Sequence, residues 1–169
     1  APSFDGPPGV AWKEQNANQK HIISCASLKC ISLNDIRKKK FKIVIDAVNG
    51  AGSDALPALL ESLGCEVVEL NCQPSGIFNR GTEPLPENLT DLSNAVIQNN
   101  ADAGFAVDPD ADRLALISEK GKPLGEEYTL VIAADGYLAE KNKPEKIVVN
   151  LSTSIAIEKL AESKGSLVE

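Results

Sequence analysis

Phe41-Lys42-Ile43-Val44-Ile45-Asp46 is an apolar, β-rich run that stops at the glycine turn Asn49-Gly50-Ala51-Gly52. Directly behind it, Leu56, Leu59, Leu60 and Leu63 recur at i, i+3, i+4 and i+7, the spacing of one helical face. Ser53 or Asp54 can cap the start of that helix, and Gly64 suits its end. Val67, Val68 and Leu70 then supply a second strand. Two strands joined through a helix cannot form a tight hairpin, so they are expected to lie parallel through a right-handed crossover.

The same alternation continues along the chain. A long loop with Pro74, Gly76, Gly81, Pro84 and Pro86 spans residues 71–88 and is longer than ordinary connections, which marks it as functional or as an ordered lid. Leu89, Leu92 and Val96 form the buried face of a second helix, and Ala103 to Val107 read as a third strand ending at Asp108. Leu114 to Ser118 resume strand character, and Lys120-Gly121 turns the chain. Leu130, Val131, Ala134 and Leu138 then fall at helical spacing, before a polar linker around Pro144. Ile147 to Asn150 begin a new strand, followed by a helix carrying Ile157, Leu160 and Ala161, with Gly165 at its close and another strand starting near Glu169. This pattern predicts an α/β fold: a doubly wound, mostly parallel sheet with helices on both faces. Three regions are expected: residues 1–40 as an N-terminal remnant and hinge, 41–143 as the main α/β domain, and 144–169 as the start of a following one.

Seventeen Lys and Arg stand against 24 Asp and Glu in 169 residues, a net charge of -7 that disfavours nucleic acid as a partner. No apolar run is long enough to cross a bilayer, which argues for a soluble protein and against a membrane partner. Cys25, Cys30, Cys65 and Cys72 lack zinc-site spacing and are too sparse for a disulfide scaffold, so a cytoplasmic, reducing setting is expected. Cys65 and Cys72 are read as inert or buried thiols in and just after a strand. The basic run Arg37 to Lys40 reads as a solvated helix end. The chain opens at Ala1, contains no Met and has no signal segment, which suggests a piece of something larger.

Asp108-Pro109-Asp110-Ala111-Asp112-Arg113 carries the most chemistry. Three carboxylates at alternate positions repel one another unless a cation sits among them, and a strand end followed by a tight turn can aim all three at one point. Oxygen-only donors suit magnesium, calcium or manganese, and their small number leaves positions open for water or a phosphate. Arg113 adds a planar fork for phosphate oxygens. The competing reading is a solvated acidic turn, which the third Asp in phase and the adjoining Arg make less attractive. Asp108, Asp110, Asp112 and Glu119 also match positions of a calcium-binding EF-hand loop. Arg113 replaces its obligatory glycine, however, and strands replace its flanking helices, so that reading is excluded.

Gly50-x-Gly52-x-x-Ala55 has the form of a dinucleotide fingerprint, with Glu69 available as the ribose-binding acid, and makes an oxidoreductase Rossmann-type domain the alternative function. Asp46 nearby would crowd a pyrophosphate, so close packing of helix on strand is the preferred explanation of the turn. His21 is the only histidine and supports no His-based triad.

Four stretches in order, FKIVIDAVNGAG (41–52), EPLPENL (83–89), ADAGFAVDPDADR (101–113) and GEEYTL (125–130), resemble the α-D-phosphohexomutase family of phosphoglucomutases, phosphomannomutases and phosphoglucosamine mutases. The family's metal loop is D-G-D-x-D-R, and Pro109 stands at its glycine. Residues 18–40 resemble the family's hinge, and IVVNLSTS (147–154) the opening of its third domain. The resemblance implies the second domain of a four-domain enzyme, with short flanking pieces. It also implies Asp108, Asp110 and Asp112 as Mg2+ ligands and Arg113 as a catalytic contact beside them. The intact enzyme would interconvert hexose 1- and 6-phosphates by phosphoryl transfer through a bisphosphorylated intermediate, as an intramolecular phosphotransferase and phosphoprotein. Its partners would be a phosphosugar substrate and the missing domains of the same chain. The phosphoserine loop, the sugar-recognition loop and the phosphate-binding loop of that family have no match here, so the fragment alone is expected to be inactive.

Overall fold

The computed structural model describes Gly6 and residues 9–141 and 143–169. Two short helices, α1 (Ala17–Ala26) and α2 (Leu33–Lys39), bury no residue completely and lead into strand β1 (Lys42–Asp46). Helix α3 (Ala55–Ser62) and strand β2 (Glu66–Leu70) follow, then α4 (Thr90–Gln98), β3 (Ala103–Val107) and β4 (Leu114–Ser118). The strands assemble in the order β2-β1-β3-β4. β1 pairs parallel to both β2 and β3, while β4 closes the edge antiparallel to β3, so the sheet is mixed but mostly parallel.

Burial on both faces follows from the two crossovers. Val44, Ala106, Ala115 and Ile117 project from one face against Leu89, Leu92 and Val96 of the α4 segment. Ile43 and Ile45 project from the other against Leu56 and Leu60 of α3. Near-continuous burial along β1 is the signature of a central parallel strand. Gly104 is required where α4 meets the sheet, because a Cβ there would lie 2.7 Å from Val96 Cγ2. Beyond the sheet lie α5 (Glu127–Lys141), the strand pair β5 (Lys146–Ile147) and β6 (Leu167–Val168), and α6 (Ala156–Ser163) between them.

Several local expectations need correction. Neither Ser53 nor Asp54 caps α3 through its side chain; the Ser53 hydroxyl donates instead to the Gly50 carbonyl at 2.8 Å, which tightens the turn. Cys65 precedes β2 rather than lying in a strand. The strand expected over residues 147–150 is confined to Lys146–Ile147. Of Leu130, Val131, Ala134 and Leu138 only Leu138 is buried. Arg37 is not simply solvated, since its guanidinium donates to the Ser62 carbonyl at 2.8 Å, where cations suit a helix end. Residue 142 and most of residues 1–8, which belong to the expected linker and N-terminal remnant, lie outside the described residues.

Candidate active site

The chain reverses its direction of travel across the sheet at β1, with β2 on one side and β3 on the other. Ligands in such sheets collect in the crevice beyond the carboxyl ends of the strands at that reversal. Here the crevice is bounded by the turn after Asp46, the last residue of β1, and by the acidic loop after Val107, the last residue of β3.

The turn after β1 is unusual. Val48 and Asn49 both adopt left-handed backbone, with φ of 47° and 56°, and the Gly50 N–H donates to the Ala47 carbonyl at 2.8 Å. A β-branched residue in that region carries strain of order 1–3 kcal/mol, so the surroundings must hold it. The Val48 N–H donates to Asp46 Oδ1 at 2.9 Å, and the buried Asn49 amide accepts from the Gln73 N–H and donates to the Ile77 carbonyl. Gly50 is obligatory for contact, since a Cβ there would lie 2.4 Å from the Pro109 carbonyl oxygen. The Ala51 N–H donates to that same oxygen at 2.8 Å. The glycine turn therefore packs directly on the acidic loop. That contact accounts for the glycine at position 50 by packing, as preferred over the dinucleotide alternative.

The acidic loop itself is a tight turn, with the Ala111 N–H donating to the Asp108 carbonyl at 3.1 Å and Ala111 at φ 61°. Asp108 is buried, Asp110 and Asp112 are exposed, and one carboxylate oxygen from each lies within 4.8 Å of the others. That spread is wider than the spacing of adjacent oxygens on one magnesium ion, so the exposed Asp110 and Asp112 carboxylates would have to close inward to share an ion with Asp108. Like charge on Asp110 and Asp108 pushes the Asp112 carboxyl above its ordinary pKa. Burial pushes Asp108 the same way, but the Arg113 main-chain N–H, donating at 3.1 Å, and hydrogen bonding with Asp110 and Asp112 outweigh it and hold its carboxyl below the ordinary value. Mutual repulsion among hard oxygen donors is the condition that a divalent cation relieves, so the donor set fits a hard divalent cation, magnesium among them.

Arg113 stands beside the cluster, its Nε 3.8 Å from Asp108 Oδ2 and 3.9 Å from Asp112 Oδ1, and a terminal nitrogen pairs with Glu83. All four residues expected at the site are thus brought together. Sequence reasoning gave Arg80 no role, quoted Glu83 only within a resembling stretch, and used Asp46 only as a carboxylate that would crowd a pyrophosphate. Arg80 donates from Nε to Asp46 Oδ2 at 2.9 Å and from Nη2 to the Val107 carbonyl at 2.7 Å, and so ties the long loop to the strand ends. A lone cation in a Pro- and Gly-rich loop was the available signal. On the open side, a cleft of about 800 Å3 runs from Asp112 and Arg113 past Glu126 to Asn150 and Ser152–Ser154.

The family model described as phosphoglucomutase/phosphomannomutase, alpha/beta/alpha domain II, matches residues 19–121. The chain belongs to this family. A protein of Methanopyrus kandleri named "Probable phosphoglucosamine mutase" is 40% identical over 128 residues, which cover 75% of this chain and 28% of that protein. A phosphoglucomutase/phosphomannomutase of Thermococcus kodakarensis is 38% identical over 139 residues, 82% of this chain and 30% of the relative. The chain spans about a third of the length of the curated relatives it matches. The crystal structure of a phosphoglucomutase/phosphomannomutase family protein from Burkholderia thailandensis superposes with a TM-score of 0.70 at 24% identity, covering 89% of this chain and 32% of that one. At that identity the likeness speaks for the fold. The Rossmann alternative finds no support in these matches.

Proposed function

We propose that this chain supplies the metal-binding part of a phosphohexomutase that moves a phosphoryl group between the 1 and 6 positions of a hexose phosphate. The observation that carries this reading is the convergence of Asp108, Asp110 and Asp112 at the reversal point of the sheet, beside Arg113. In this reading residues 41–143 form the metal-loop domain, residues 1–40 a preceding remnant and hinge, and residues 144–169 the opening of the next domain.

Asp108, Asp110 and Asp112 would hold Mg2+ through carboxylate oxygens. When bound, the ion supplies neutralisation of charge on a phosphoryl group in transfer. Asp108 is the fixed member, because its burial and the Arg113 N–H limit its rotation. Asp110 and Asp112 are exposed and can close on an ion without moving the strand ends. Arg113 is half-exposed and reaches past the cluster toward the cleft, where its guanidinium can orient phosphate oxygens. Cys25, Cys30, Cys65 and Cys72 are unpaired, in keeping with a reducing, cytoplasmic setting. Among the described residues no helix is long and apolar enough to cross a membrane.

Titration of Mg2+ or Mn2+ into the chain, followed by the amide signals of residues 108–113, tests the site. The expected result is saturable perturbation centred on that loop and lost in Asp110→Asn. Perturbation centred on another acidic cluster would overturn the reading.

A further inference from the structure

Arg80 is the only cation in the loop of residues 71–88, and its guanidinium is turned inward. Its side chain is 8% exposed and that of its partner Asp46 is 1% exposed. Besides Asp46 Oδ2 and the Val107 carbonyl, it donates from Nη1 to the Gly81 carbonyl at 2.9 Å. One rigid fork thus joins the last residue of β1 to the last residue of β3 across the reversal point of the sheet. A lysine, with a single point of charge, cannot span those acceptors in one plane.

A buried ion pair is weak evidence of a stabilising role, because desolvation offsets its Coulombic gain. Its location says more. The Val107 carbonyl lies in the same peptide plane as the nitrogen and Cα of Asp108. Fixing that oxygen at 2.7 Å from Arg80 fixes the plane from which the Asp108 side chain departs. The same loop reaches the other end of the acidic segment, where Glu83 pairs with Arg113.

We propose that Arg80, held by Asp46, is a positioning residue for the acidic loop: it fixes the peptide plane that aims Asp108 and thereby sets the affinity of the cluster for a divalent cation. The proposal rests on the reading of that cluster as a metal site, and two measurements keep them distinguishable. Mn2+ binding is followed by electron paramagnetic resonance in the unsubstituted chain, Asp110→Asn, Arg80→Lys and the double variant Arg80→Met with Asp46→Asn. Amide exchange at Ala111 and Arg113 is measured in the same chains without metal, with Ile45 as the internal control.

Outer-shell partners typically contribute about 10- to 100-fold to metal affinity, so Arg80→Lys is expected to weaken Mn2+ binding by at least about tenfold. It is also expected to speed exchange at Ala111 and Arg113 and leave Ile45 unchanged. The double variant removes the buried charges together and keeps an acceptor for the Val48 N–H, so it should fold and show the same two losses. Where the unsubstituted chain binds Mn2+ at the cluster, unaltered affinity in Arg80→Lys, or unaltered exchange at Ala111 and Arg113, overturns the proposal. If the unsubstituted chain fails to bind Mn2+, or binds it as Asp110→Asn does, the metal reading falls. Exchange then decides the positioning role alone: acceleration at Ala111 and Arg113 upholds it, and its absence overturns it.

Discussion

Asp108 and Asp112 lie four residues apart, yet their carboxyls are pushed in opposite directions, because the folded loop gives each a different burial and a different set of contacts. Asp108 is buried but receives the Arg113 N–H, whereas Asp112 is exposed and feels chiefly the charge of Asp110 and Asp108. The sign of the consequence differs as well. The raised Asp112 binds its proton more tightly in the folded chain, so its ionisation lowers stability as pH rises through its folded pKa. The lowered Asp108 contributes stability that is present at neutral pH and is lost as pH falls through its folded pKa. A cation at the cluster competes with the Asp112 proton and relieves the repulsion that raised it. The melting-temperature increment produced by Mg2+ is therefore expected to be largest near neutral pH. It should begin to shrink while the pH is still above 3.8, the ordinary aspartate value. Differential scanning calorimetry with and without Mg2+ between pH 7 and pH 4, on the order of half-unit steps, checks it. An increment that grows on acidification would contradict this account.

The two helices α4 and α5 look alike in sequence, each with apolar residues at helical spacing, but α4 lies across β1, β3 and β4, whereas α5 meets the sheet only at its edge strand β4. Leu92 and Val96 are inaccessible against Val44, Ala106 and Ile117, while Leu130 on α5 remains about half exposed. Leu92→Ala is accordingly expected to cost about 2–5 kcal/mol, the range for truncating a buried leucine. Leu130→Ala should fall within about 0.5 kcal/mol, as for other exposed positions. Urea unfolding of the two variants gives the comparison, and equal losses would show that α5 is packed more tightly than its exposure indicates. Sequence periodicity identified both helices and placed β3 and β4. It could not say which apolar stripe finds a partner, because that depends on where the crossovers deliver each helix. The cap at Ser53 failed for a related reason: its hydroxyl has a nearer acceptor in the Gly50 carbonyl, which only the folded turn presents.

For the whole molecule, the mixed sheet with helices packed on both faces gives the chain a core of its own, in Val44, Leu89, Leu92 and Ile117 on one side and Ile43, Ile45 and Leu60 on the other. The 169-residue chain is expected to melt cooperatively yet give no turnover when supplied with Mg2+, a hexose 1-phosphate and a trace of the bisphosphate, since no segment in it matches the family's phosphoserine loop. A coupled assay for the 6-phosphate measures this, and turnover lost in Asp110→Ala would refute it. The sequence by itself determined the alternation of strands and helices and the grouping of Asp108, Asp110, Asp112 and Arg113, because periodicity and short spacing are local properties of a chain. Tertiary structure alone decided why Gly50 is a glycine and what Arg80, Asp46 and Glu83 contact. Pro109 lies 59 positions from Gly50 and Arg80 lies 34 positions from Asp46, and contacts at such separations exist only after parallel pairing has brought the ends of β1 and β3 side by side.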